Sequence, residues 1–189
     1  MNLARWRARR ANRILIDQIH GEIVAAARAP ELYARLAVVD SLDGRFEMVA
    51  LHAGLALRRL GELGGLGAQV AQDLVDCAFR HFEDALRELS HGDIGAARRL
   101  KSMAEAFYGR NRAYGEALAA VDAEALAAAL ARNVYGARDA AAAPHARDLA
   151  LYVLAAAEAL EREGIEAFVG GRFRFPAALE TCDDQRSAV

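Results

Sequence analysis

Cys77 and His81 stand four residues apart, a spacing that puts a thiol and an imidazole on one face of a helix, as in a metal-ligand pair. No further ligand is signalled around them, so no metal is expected. His52 sits alone in an apolar run, Met48 to Leu60, and reads as a hydrogen-bonded core residue. Gly61-Glu62-Leu63-Gly64-Gly65-Leu66-Gly67 has the glycine density of a phosphate loop. It follows a helical pattern rather than a strand, and no Gly-Lys-Ser/Thr comes after it, so it reads as a helix–helix connector. There is no Gly-x-Ser-x-Gly elbow, no His-Glu-x-x-His and no Cys-x-x-Cys. Many acids have an arginine at helical spacing, as Asp76 has Arg80 and Glu83 has Arg87, which marks paired surface carboxylates rather than raised-pKa acids. Neither catalysis nor a cofactor is expected.

What remains is a cationic surface. Lys101 is the only lysine, so the positive groups are almost all guanidiniums, which hold carboxylates and phosphates bidentately. Arg98, Arg99 and Lys101 follow a Gly-Asp-Ile-Gly break, and Arg110 and Arg112 follow Gly109. Arg45, Arg98 and Lys101 are expected to meet in one patch edged by Tyr108 and Tyr114. Arginine and tyrosine are common anchors of protein interfaces.

The elements that must position this surface are helices. Val75, Phe79, Phe82, Leu86 and Leu89 keep helical spacing, as do Ala96, Leu100, Met103 and Phe107. They predict a helix pair broken at His91 to Gly95, with Asp93 as N-cap and Gly109 as C-cap of the second member. Arg45 to Leu63 is apolar nearly all round, the pattern of a helix buried at the centre of a bundle, with Ser41 or Asp43 as its cap. Shorter helices are predicted for Glu31–Val39, Glu116–Ala120, Ala123–Asn133 behind an Asp122 cap, Pro144–Glu163 and Ile165–Val169. Ile14, Leu15, Ile19, Ile23 and Val24 form a stripe reaching about Arg28.

The chain has 189 residues, 54% of them hydrophobic, 7% aromatic and three of them proline, which points to one all-α domain. The predicted architecture is a single compact multi-helix bundle with a buried central helix. A basic extension is expected over 1–13, the helical domain over 14–176 and a disordered tail over 177–189. The net charge of −2 excludes a globally basic nucleic-acid binder, and no specific DNA partner is expected. Two cysteines, Cys77 and Cys182, set no disulfide framework, so a reducing compartment is expected. No stretch reaches the ~18 apolar residues of a membrane span. Arg5, Trp6, Arg7, Arg9 and Arg10 at the start are nevertheless placed to rest on an anionic membrane surface.

Several stretches together resemble the ubiquinol–cytochrome c chaperone family. They are Asp40-Ser41-Leu42-Asp43-Gly44-Arg45-Phe46-Glu47-Met48, Leu51-His52 and Leu57-Arg58-Arg59-Leu60. Leu86-Arg87-Glu88-Leu89, Gly92-Asp93-Ile94-Gly95, Ala104-Glu105-Ala106-Phe107-Tyr108-Gly109-Arg110 and Ala113-Tyr114 continue the match, which covers about Ile14 to Asn133. The resemblance implies an all-helical, non-enzymatic assembly factor that binds nascent or unassembled cytochrome b and supports assembly of the ubiquinol–cytochrome c reductase complex. The ribosome is a further implied partner. The expected place is the cytoplasm of a bacterium, at the inner face of the inner membrane. The client-binding candidates are Asp43, Gly44, Arg45, Asp93, Gly95, Arg98, Arg99, Lys101, Tyr108, Arg110 and Tyr114. The alternatives kept beside this reading are a helical lipid- or membrane-surface-binding protein and a DNA-binding regulator.

Overall fold

The structure is a computed structural model that describes residues 3–89 and 93–177. Among these residues it contains helices and no strand. Helix α1 spans Leu3–Ala27, α2 Pro30–Ala34, α3 Leu42–Leu63 and α4 Gly65–Leu89. Helix α5 spans Asp93–Ala119, α6 Ala123–Val134, α7 Ala146–Glu161 and α8 Ile165–Val169, with one 3₁₀ turn at Ala140–Ala142. Side chains are not described for 3–9, 88–89, 93–94 and 96. The tail expected over 177–189 lies, apart from Ala177, outside the described residues, as do Cys182 and the break at His91-Gly92.

Helix α3 is the centre, packed against α1, α4, α5, α6 and α7. Its near-continuous apolar sequence is the reason, because every face meets a neighbour. Met48, Ala50, Leu51, Ala53, Leu55, Ala56 and Leu60 are all buried. Ser41 caps it, its Oγ accepting from the Gly44 amide. Gly44 is there because nothing larger fits: a Cβ would lie 2.0 Å from the Val39 carbonyl oxygen. The helix closes at Gly64, whose φ of 60° is ordinary for glycine. The glycine cluster is thus the helix–helix connector its context predicts.

Three elements differ from the sequence pattern. Helix α5 runs through Gly109 to Ala119, so Gly109 is not a cap, and the helix expected at Glu116–Ala120 is its last turns. A mid-helix glycine costs about 1 kcal/mol relative to alanine. Burial of Phe107, Tyr114, Ala117 and Leu118 on both sides of it outweighs that. The reversal comes instead at Val121, with φ of 51°. Helix α2 stops at Ala34 rather than Val39, because Ala37 takes φ of 52° and the chain turns toward α3, leaving Val39 exposed. On α1 the buried stripe is Ile16, Ile19, Ile23 and Ala27, while Ile14 faces solvent.

Past α8 the described residues, up to Ala177, form no helix or strand, yet they belong to the core. Phe173 is fully buried and stacks on Phe168 at 4.5 Å, and Phe175 meets the His52 ring edge-on at 4.9 Å. His52 is the bundle's central polar group. The Met48 carbonyl can only accept, so Nδ1 carries the proton and donates to it at 2.7 Å. Nε2 then accepts from the Tyr152 hydroxyl of α7, also at 2.7 Å. Burial lowers the His52 pKa to about 4, against a smaller opposing effect of the Met48 carbonyl.

The folded protein keeps His52 neutral, whereas the unfolded chain protonates it below the ordinary value of 6.5. Stability therefore falls as pH drops from 6.5 toward 4 and this contribution levels off below. The loss is on the order of 3 kcal/mol at about 1.4 per unit. Urea denaturation across that range checks it, and His52→Gln lessens the slope there, leaving the share of His20, whose pKa is lowered likewise. Tyr152→Phe leaves Nε2 unpaired and costs about 1–3 kcal/mol at neutral pH.

Candidate functional site

The outer halves of α4 and α5 are packed less tightly than their inner halves. On α4, Val70, Leu74, Cys77 and Ala78 are buried, whereas Phe79 and Phe82 are only half covered. On α5, none of the described side chains before Phe107 is buried, and Leu100 and Met103 are intermediate. The two amphipathic stripes are therefore real, but their distal parts, Leu86 apart, are only partly covered. They line one side of an elongated cavity of about 490 Å³.

Four helices build this cavity. Helix α3 contributes Leu42, Phe46 and Val49, α1 contributes Gly21 and Val24, α4 contributes Phe82 and Leu86, and α5 contributes Met103. An aromatic run underlies it. Phe46 meets Phe82 at 5.2 Å, Phe82 meets Phe79 at 6.0 Å, and Phe79 meets Phe107 at 5.6 Å and Tyr108 at 6.2 Å. Arg28, Arg45 and Arg99 stand among the lining residues, with Asp43, His20 and His81. The lining is thus mostly apolar, with guanidiniums from α3, α5 and the turn after α1, and few acids.

The sequence-derived candidates divide. Arg45 and Arg99 reach the cavity, each held by an acid: Arg45 by Asp40 at 2.6 Å and Arg99 by Asp43 at 3.2 Å. Both pairs are well exposed, so each contributes little to stability and the guanidiniums exchange partners at small cost. Arg98 and Lys101 are exposed on α5 outside the lining, Lys101 being 3.9 Å from Glu105. The single patch of Arg45, Arg98 and Lys101 does not form. Successive α5 residues turn about 100° apart, so Arg99 faces the cavity and its neighbours do not. Gly95 is exposed near the start of α5, and the Asp93 side chain lies outside the described set. Tyr108 is exposed over Phe79, but Tyr114 is 4% exposed and belongs to the core. Gly44 is buried under the Val39 carbonyl, a packing position. Of Arg5, Trp6, Arg7 and Arg9 only the helical backbone of α1 is described, and Arg10 is exposed.

Arg110 points inward. Its Nε lies 2.5 Å from Glu47 Oε2, both side chains mostly buried, in an ion pair whose angles are not those of a good hydrogen bond. Burial raises the Glu47 pKa even against Arg110. Phe46 lies 6.0 Å from the Arg110 guanidinium carbon, its ring under the cation. The pair locks α5 to α3 beside the cavity. Gly54 supports the same crossing, since a Cβ there would lie 1.8 Å from Asn111 Oδ1.

One group escaped the sequence reading. His20 of α1 joins Cys77 and His81 of α4, their ligating atoms all within 4.8 Å of one another. The His20 and His81 rings stack at 4.4 Å, and the Cys77 thiol donates toward Asp17 at 3.5 Å. His20 is held neutral, its pKa lowered to about 4 by burial first and by His81 second. No local pattern linked residue 20 to residue 77, since only the packing of α1 on α4 joins them.

Removal of one member of the buried pair tests its role. Arg110→Met strands the Glu47 carboxylate and costs about 3–5 kcal/mol in urea denaturation, while Arg110→Met combined with Glu47→Leu recovers most of that loss.

The comparisons agree with the fold. The crystal structure of the Cbp3 homolog from Brucella abortus is 38% identical over 96% of this chain and 99% of that one, with a TM-score of 0.81. A search of curated proteins returned no match. The family model described as ubiquinol-cytochrome C chaperone matches residues 34–175, a span holding α3 to α8 and most of the cavity. The chain belongs to the ubiquinol-cytochrome C chaperone family.

Proposed function

We propose that the chain is a non-enzymatic assembly factor that binds unassembled cytochrome b in the cavity between α1, α3, α4 and α5. In doing so it supports assembly of the ubiquinol–cytochrome c reductase complex. The observation that carries the reading is the cavity itself: half-covered Phe82 and Met103 and buried Leu86 line it with Val24, Phe46 and Val49, and Arg28, Arg45 and Arg99 stand among them. Such a lining suits a client segment with an apolar face and an acidic or carbonyl-rich end. The apolar wall shields the face, and guanidiniums released from exposed acids take up the end. Exchange of Asp40 or Asp43 for a client carboxylate keeps each cation paired, so release stays easy. The client is a membrane protein, so the encounter takes place at the inner face of the membrane.

A photoreactive residue at Met103 tests this in cells, with one at exposed Glu158 on α7 as control. The expected result is a cytochrome b adduct at Met103 alone, and reduced cytochrome b in the gene deletion by spectrum and blot. Equal adducts at both positions, or unchanged cytochrome b, overturn the reading.

A further inference from the structure

We propose that His20, Cys77 and His81 form a zinc site, with Asp17 in the fourth position. The case rests on the donor set and on how the fold delivers it. Asp17 and His20 are three apart on α1, and Cys77 and His81 are four apart on α4. Each pair therefore lies on one helical face, and the packing of α1 against α4 turns the two faces toward each other. The two imidazoles and the thiol bring their donor atoms within 4.8 Å of one another. Zinc bonds of about 2.0–2.3 Å imply donor separations of about 3.3–3.8 Å in a tetrahedron. Side-chain rotation of about 1 Å closes that gap with both helices in place. The Asp17 carboxylate already stands 3.5 Å from the sulfur.

Thiolate, imidazole and carboxylate are a set that zinc favours over magnesium or calcium, which take oxygen donors. Cys77 is fully buried and His81 is exposed, so the site has a dry inner wall and an entry path. The metal takes the place of the thiol proton now directed at Asp17. It pins α1 to α4 at the end of the cavity, since His20 and His81 both line it. Bound there, the ion fixes one wall of the cavity to the other.

Cobalt titration of the full, untagged, chelator-treated chain tests the site, because Co²⁺ reports thiolate and tetrahedral ligation by its absorption. The expected result is one Co²⁺ per chain with a thiolate charge-transfer band, displaced by Zn²⁺, and a melting temperature raised by Zn²⁺. Cys77→Ser abolishes the band. Cys77→Ser, His20→Ala and His81→Ala each weaken Zn²⁺ by at least roughly 100-fold, the upper end of what a lost outer-shell partner costs. Asp17→Asn weakens it by about 10–100-fold. Cys182→Ser changes nothing. His81 is exposed, so its variant keeps the fold and remains informative if a buried variant does not. Absence of the band in the parent, its survival in Cys77→Ser, or unchanged affinity in His81→Ala overturns the proposal.

Discussion

Burial of α3 on nearly every side is the constraint from which the rest of the structure follows. Along its buried length the helix has nowhere to send a polar side chain, so each one there must find a partner inside the protein. Two do so in different ways. His52 meets a carbonyl of its own helix and the Tyr152 hydroxyl of α7, a neutral solution with both ring nitrogens satisfied. Glu47 meets Arg110 of α5, a charged solution whose desolvation is only partly offset. Between them these contacts tie α3 to both flanking layers. Arg59 adds a third tie, its Nε donating to the Glu163 carbonyl at 2.9 Å where α7 has just ended.

The same centre explains why the cavity lies where it does. Inner turns of α4 and α5 pack closely on α3 and are buried, whereas the outer turns touch its first turns through Phe82 and Arg99 and keep a half-covered aromatic stripe. Helix α1 and the first turns of α3 supply the opposite wall. The cavity is therefore the gap left where the first turns of α3 and the outer turns of α4 and α5 meet α1 without filling the space between them. Its apolar lining is the continuation of their core stripes, and its arginines come from helix ends and loop edges. In a family of chaperones, a lining that resembles a core without being closed suits a surface that shelters another protein's apolar segment.

The cationic candidates of α5 are sorted by helical phase. Arg99 faces the cavity, Arg98 and Lys101 face away, and Arg110 faces the core. All four were recognisable as helical arginines or lysine, but their directions depend on where α5 crosses α3. Gly109 misleads for a related reason. As a local signal it ends a helix, yet the residues beyond it are buried, and their packing carries α5 onward. Glycines at points of close approach, such as Gly44 and Gly54, have nothing in their own neighbourhood to set them apart from the others.

By itself the sequence determined the helical class, the central place of α3, the cap at Asp122 and the connector at Gly64, and it narrowed the cap of α3 to Ser41 or Asp43, because periodicity and capping act over a few residues. It also carried the family, since the motifs that mark it are contiguous. Only tertiary structure decided that Arg110 belongs to Glu47, that His52 belongs to Tyr152, and that His20 comes to Cys77 and His81. Those pairings join residues tens of positions apart, and they are fixed by which helix faces must be buried together rather than by anything local to either partner.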